Sequence, residues 1–269
     1  MTLQGTPSTA LVTGTSGGIG EAIARQLASR GADLILVARS ADRLHALAGE
    51  LSQQHGIRAE VIAADLSCPD AGRTLEAEVA ARGLQVDLLV NNAGFGGFSE
   101  FARQDPQDIG EMIAVNITAL TDLTRRFLPP MLERGRGRVL NVASTAGFVP
   151  GPLMAVYYAT KAYVLSFSEG VNEELRGTGL SVTALCPGPV DTGFQDAASL
   201  HESRLMSGLT RLAVVDVDTV ARIGVEATLR GQGVAVAGGA NRLQVSAFRL
   251  LPRSVVARVI AGVQARRGP

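Results

Sequence analysis

Apolar residues recur along this chain with two distinct periods. Short, nearly unbroken apolar runs occur at Ala10–Thr13, Leu34–Ala38, Arg58–Ala63, Leu88–Asn91, Arg138–Val142, Ser181–Leu185 and Val234–Ala237. Runs of this length, lacking the polar alternation of a half-exposed strand, read as strands buried on both faces. Between them lie longer stretches in which apolar side chains return every three or four positions: Glu21–Arg30, Arg43–His55, Ala71–Arg82, Asp108–Leu128, Val156–Arg176, Val217–Arg230 and Val245–Ala265. That spacing gathers them on one face of a helix. Pro129-Pro130 is expected to end the fourth helix, because proline has no N–H to donate and its ring meets the preceding turn. Gly177 is expected to close the fifth. Strands alternating with helices predict an α/β architecture, a doubly wound parallel sheet of about seven strands with helices on both faces.

No linker, low-complexity run or internal repeat divides the 269 residues, so one domain over 1–269 is expected. The least regular stretch, Gly193–Leu212, predicts a lid or binding loop. Lys+Arg and Asp+Glu are both 25, which gives no electrostatic basis for a nucleic-acid partner. Cys68 and Cys186 form no disulfide framework and no metal-ligand spacing, so a reduced cytoplasmic setting and no metal are expected. The opening Met1–Thr9 lacks the basic and apolar regions of a signal peptide, and no apolar run is long enough to span a bilayer. The basic residues comprise 24 Arg and one Lys, Lys161, so the exception asks for a chemical reason.

The segment Thr13-Gly14-Thr15-Ser16-Gly17-Gly18-Ile19-Gly20 follows the first strand and opens the first helix. Backbone N–H groups at a helix N-terminus suit a pyrophosphate by geometry and dipole. Gly14 serves the tight turn, Gly18 the approach of phosphate, and Gly20 close helix–strand packing. The second strand ends in Arg39-Ser40 with no acid at its tip. Binders of NAD place a carboxylate there for the ribose hydroxyls, whereas a positive charge accommodates the 2′-phosphate of NADP. Arg39 therefore points to NADP(H).

Tyr157 and Lys161 stand four apart in a helical pattern and share a face. A tyrosine hydroxyl titrates near 10, and an adjacent ammonium is expected to lower that value, making an acid/base pair. A core-facing tyrosine beside a surface lysine gives the same spacing. Tyr158 and Tyr163 turn away from Lys161 and are expected to pack or to wall the pocket. Ser144 follows the fifth strand at its C-terminal end, where open α/β sheets bind ligands; it can donate to a substrate oxygen or simply cap a turn.

Thr13–Gly20, Asn91-Asn92-Ala93-Gly94, Ser144, Tyr157-x-x-x-Lys161 and Pro187-Gly188, in this order and spacing, resemble the compact single-domain branch of the short-chain dehydrogenase/reductase family. The resemblance covers roughly Ser8 to Thr192. It implies a Rossmann fold, with Tyr157 as acid/base, Lys161 lowering its pKa and binding the nicotinamide ribose, and Ser144 orienting the carbonyl. It further implies that Asn116 shapes a long helix and holds a water of a proton relay. Gly14, Thr15, Ser16, Gly18, Ile19, Gly20, Arg39 and Ser40 would belong to the cofactor site, with Arg39 for the NADP phosphate, and Asp65 and Leu66 would contact the adenine. Asn92, Ala93 and Gly94 would line the adenine-ribose side, and Pro187, Gly188, Val190 and Thr192 would cradle the nicotinamide. It implies hydride transfer between NADP(H) and a carbonyl or alcohol, in the neighbourhood of 3-oxoacyl and hydroxysteroid reductases. Family members assemble as dimers or tetramers through helices matching Asp108–Leu128 and Val156–Arg176, so a homodimer or homotetramer is implied. A catalytically silent NADP-binding sensor on the same fold is the alternative.

The expected pocket wall is apolar, with Phe95, Phe98, Phe148, Val149 and Met154, joined by Phe194, Leu200, Leu205, Met206 and Leu209 of the lid. Such a wall suits a lipophilic small-molecule carbonyl. Val245–Arg267 is basic and amphipathic, which fits a membrane surface, a cover over the lid or a partner subunit; Pro252 argues against one long membrane-bound helix.

Overall fold

The computed structural model describes residues 8–190 and 214–264. Seven parallel strands form its one sheet among the described residues: β1 (Thr9–Thr13), β2 (Asp33–Ala38), β3 (Ala59–Ala63), β4 (Leu88–Asn91), β5 (Gly137–Val142), β6 (Leu180–Cys186) and β7 (Val234–Val236). Their spatial order is β3-β2-β1-β4-β5-β6-β7. The order reverses between β1 and β4, so a crevice opens there at the C-terminal strand ends. All seven expected strands are present, with boundaries shifted by at most one residue.

Because side chains alternate across a strand, each run feeds two cores. Ala10, Val12, Leu34, Leu36, Leu88 and Val90 face one side. There they meet α1 (Gly18–Ala28), α2 (Ala41–His55) and α7 (Val217–Leu229). Leu11, Ile35, Val37 and Leu89 face the other side, against α3 (Ala71–Ala81) and the long helical segment that follows β4. This is the doubly wound sheet that the alternation of periods predicts.

Two helical boundaries differ from expectation. The segment expected at Asp108–Leu128 starts as α4 (Pro106–Ile113), widens into a π-helical turn over Ala114–Ala119, and continues as α5 (Leu120–Glu133) through both prolines. The residues one turn earlier, Arg125 and Arg126, lie on an exposed or half-exposed flank, where water can take the carbonyls that lose their donors. Met131, fully buried beyond the prolines, anchors the last turn. The C-terminal stretch expected from Val245 begins earlier and is broken into α8 (Gly239–Arg249) and α9 (Arg253–Gln264), with Pro252 at the break. α6 (Ala155–Glu174) carries the Tyr-x-x-x-Lys pair and ends just before Gly177, whose φ of 84° closes the turn.

Candidate active site

The C-terminal strand ends open into a cleft of about 1210 Å³ that runs from Arg39 and Arg43 to Tyr157 and beyond it to α8 and α9. At its floor Gly14 adopts φ 71°, and its N–H bonds the Val37 carbonyl at 2.7 Å. A side chain at Gly14 would press on Asn92 and Ala93. Gly18, φ 60°, begins α1 and lines the cleft with Ser16, Gly17 and Ile19. Thr15 and Gly20 do not line it. The Thr15 side chain is buried beneath the turn, and a Cβ at Gly20 would collide with Asn92 and the Gly14 carbonyl. Both residues shape the turn from behind, because it folds too tightly for every member to face outward.

Thr13 and Asn92 lock this turn to β4. The Thr13 hydroxyl accepts from the N–H groups of Asn92 and Ala93, each at 3.0 Å, and Asn92 Nδ2 donates to the carbonyls of Thr13 and Gly14 at 2.9 and 3.2 Å. Asn92, Ala93 and Gly94 then form the adjoining wall.

Arg39, Ser40, Asp65 and Leu66 line the far end. Asp65 accepts from the Ser67 N–H and hydroxyl, which hold its carboxyl below the usual range with a smaller contribution from Arg39. Arg43, which belongs to none of the motifs, also lines this end. Its signal was available: it follows Arg39 by four positions at the start of a helix.

Tyr157, Lys161 and Ser144 meet at the near end. Lys161 is only 6% exposed; its Nζ donates to the Val142 carbonyl at 2.8 Å and lies 5.8 Å from the centre of the Tyr157 ring. Ser144 Oγ accepts from the Ala146 N–H at 3.1 Å and hydrogen-bonds Tyr157. The expected depression of the tyrosine by the ammonium is not what this geometry gives. Burial pushes the Tyr157 hydroxyl up to about 12, against the Ser144 hydrogen bond, and burial pulls Lys161 down to about 8. Desolvation disfavours the charged form of each.

Asn116 sits in the π-helical turn, behind the cleft wall. Its Oδ1 accepts from the Phe95 N–H at 3.1 Å, while Nδ2 donates to the Phe95 carbonyl and to Thr160 Oγ1 at 2.9 and 3.0 Å. A Cβ on Gly94 would stand 2.9 Å from Asn116 Oδ1, so glycine lets that group approach, and 3.5 Å from Lys161 Nζ, in ordinary contact.

Pro187, Gly188 and Val190 line the cleft beside them. Thr192 and the whole expected lid, including Phe194, Leu200, Leu205, Met206 and Leu209, lie outside the described residues, as do Arg266 and Arg267. Phe95, Val149 and Met154 wall the near end of the cleft, but Phe98 and Phe148 do not. They pack behind it against Tyr158, Val256 and Ile260, because α8 and α9 take the outer wall with Val245, Phe248, Ile260 and Val263. Tyr158 lines the cleft, and its hydroxyl accepts from Gln264 Nε2 at 2.6 Å. Tyr163 stacks on Phe167 away from the site. Among the described residues no His/Cys/Asp/Glu group is arranged to hold a metal.

A parallel sheet ordered 3-2-1-4-5-6-7, with a glycine turn at its switch point, defines a Rossmann-type protein. The chain belongs to the short-chain dehydrogenase family, whose model matches residues 8–203. It is 39% identical over 183 residues to a very-long-chain 3-oxoacyl-CoA reductase of Anas platyrhynchos, covering 66% of this chain and 58% of that protein. The chain thus spans little more than half the length of that relative. A short-chain dehydrogenase from Sphingobium yanoikuyae, solved in complex with NADPH, superimposes with a TM-score of 0.78 at 30% identity, covering 97% of this chain and 98% of that one. A family member from Burkholderia phymatum, solved with NAD, gives a TM-score of 0.78 at 26% identity, covering 91% and 93%.

Proposed function

We propose that this chain is a single-domain NADP(H)-dependent oxidoreductase that interconverts a carbonyl and an alcohol on a lipophilic small molecule. The observation that carries this reading is the continuity of one cleft from the Arg39–Arg43 end, over the glycine turn, to Ser144, Tyr157 and Lys161. The cleft fits a dinucleotide: Gly14, Gly17 and Gly18 line it without side chains, the position of a Cβ at Gly17 is open space, and the α1 N-terminus favours a pyrophosphate. Arg39 and Arg43 suit a 2′-phosphate, and the NADPH-bound Sphingobium relative agrees with them. The NAD-bound relative shows that the fold alone does not choose.

When bound, the nicotinamide supplies or accepts the hydride. The protein's residues do the rest. Ser144 and Tyr157 donate to the carbonyl oxygen, and Tyr157 passes it a proton. Lys161, held by Val142, lies behind Tyr157 and orients the ribose. Asn116 fixes the Phe95 strand-end loop against Thr160, and so the wall facing Lys161. Val245, Phe248, Ile260 and Val263 exclude water and favour an apolar chain or ring system, consistent with the name of the 3-oxoacyl-CoA reductase relative. Assembly as a homodimer or homotetramer through α4–α5 and α6 belongs to the same reading; Ile113 and Tyr163 are partly exposed on those helices.

The test is NADPH and NADH consumption by the purified chain over a panel of long-chain 3-oxoacyl esters, steroid ketones and aryl ketones. NADPH-dependent turnover of at least one class is expected. Tight NADPH binding without turnover of any would favour the silent sensor, and no binding of either dinucleotide would sink both readings.

A further inference from the structure

Charge is distributed unevenly in a chain whose formal net charge is zero. No acidic residue follows Glu226, whereas α8 and α9 alone carry Arg242, Arg249, Arg253 and Arg258. The same helices and the turn between them leave large apolar side chains in water: Leu243 is 74% exposed, Leu250 86%, Leu251 44%, Val255 38% and Val259 45%. Leu243 and Leu250, seven apart, share the face of α8 opposite the buried Asn241 and Val245. Arg242 stands beside them, whereas Arg249 lies over the Phe148 ring at 5.3 Å. On their inner side the two helices wall the cleft.

We propose that the outer face of α8 and α9 is a peripheral docking surface for an anionic phospholipid bilayer. Its leucines and valines enter the boundary between headgroups and acyl chains, and its arginines meet lipid phosphates. An apolar stripe edged by cations and free of carboxylates is the chemistry of an interfacial helix. A second copy of the chain fits less well, since a two-fold contact brings like arginines together. No helix among the described residues is long and apolar enough to cross a membrane, so contact is confined to the surface. The docked face is the back of the cleft wall, so a carbonyl dissolved in the bilayer lies near the site. That consequence rests on the lipophilic-substrate reading; the docking itself does not.

The experiment is co-sedimentation of the full chain with vesicles of phosphatidylcholine alone or with about a third phosphatidylglycerol. Binding to the anionic vesicles only, falling as salt rises, is expected. The variant carrying Leu243→Ser and Leu250→Ser should lower the partition coefficient by about tenfold or more. The variant carrying Arg242→Gln, Arg253→Gln and Arg258→Gln should lower it by roughly a hundredfold. NADPH binding, measured alongside, reports whether each variant is folded, and the salt titration of the unmodified chain tests the charge dependence without any variant. No binding to anionic vesicles, or equal binding to neutral ones, overturns the proposal. So does a leucine variant that splits an oligomer in light scattering while the parent ignores vesicles, because the face would then cover a second copy. None of these outcomes touches the carbonyl chemistry, which is read separately in the turnover assay.

Discussion

The Lys161 ammonium donates to the Val142 carbonyl at 2.8 Å, which ties α6 to the last residue of β5. The bond explains why a chain that otherwise uses arginine keeps a lysine here. The space is bounded by Gly94 and Asn116, and a planar guanidinium needs a wider berth than an ammonium. Lys161→Arg is expected to lower kcat by about 10²–10⁴-fold despite preserving charge. Near-normal turnover would make the lysine incidental.

Burial of Lys161 also has a pH signature. Its pKa falls from 10.5 to about 8 in the folded chain. Between those values the unfolded chain holds a proton that the folded one has released, so this group's contribution to stability rises with pH; below about 8 the buried ammonium costs stability. Replacing it by methionine removes that cost. The stability advantage of Lys161→Met over the parent, by denaturant unfolding, is therefore expected to shrink from about pH 8 to 10.5, while contributions from buried tyrosine and cysteine cancel in the difference. A constant difference would mean the ammonium is solvated.

Tyr157 stands between two opposed influences, burial raising its pKa to about 12 and the Ser144 hydrogen bond lowering it. Tyr157→Phe removes the proton and keeps the ring, so kcat should fall by about 10²–10⁴-fold with NADPH affinity nearly unchanged. Fluorescence titration of NADPH beside steady-state kinetics separates the two. Substantial residual turnover would move the acid/base role elsewhere.

The strands were legible because their two-sided burial writes unbroken apolar runs, as in Leu34–Ala38, and the glycine turn and Tyr157–Lys161 pair were legible because their chemistry demands fixed spacing. What escaped was set by tertiary context. Pro129 and Pro130 stay helical because Met131 is anchored in the core and Arg125 and Arg126 lie toward water. Phe98 and Phe148 were displaced from the expected wall by helices from the far end of the chain. Thr160, Gln264 and the Val142 carbonyl act through partners remote in sequence, which no local pattern announces. The direction of the Tyr157 shift depends on burial that spacing does not report.

Arg39 and Arg43 both line the far end of the cleft, with no carboxylate at the tip of β2. A guanidinium–phosphate hydrogen bond is charge-assisted and contributes about 1.5–3 kcal/mol, or roughly 10–150-fold in affinity. Arg39→Asp should therefore reverse or erase a preference for NADPH over NADH, and Arg43→Ala should weaken NADPH alone. Dissociation constants for both dinucleotides provide the check, and an unchanged ratio in Arg39→Asp would remove that residue from phosphate recognition.

Gln264 is fully buried at the end of α9, and its Nε2 donates to the Tyr158 hydroxyl at 2.6 Å. The bond fastens the C-terminal helix to the residue beside Tyr157, with Val256 and Ile260 packed along the same seam. Gln264→Ala leaves the Tyr158 hydroxyl buried and unpaired, which costs about 1–3 kcal/mol. A fall of several degrees in Tm is expected for a chain of this size. Because Ile260 and Val263 form the apolar wall, loosening α9 should raise KM for a lipophilic ketone more than it lowers kcat. A double-mutant cycle with Tyr158→Phe isolates the bond: if Gln264 acts through that hydroxyl, the second substitution adds less than its separate cost, whereas full additivity in both Tm and KM would show that the two residues are uncoupled.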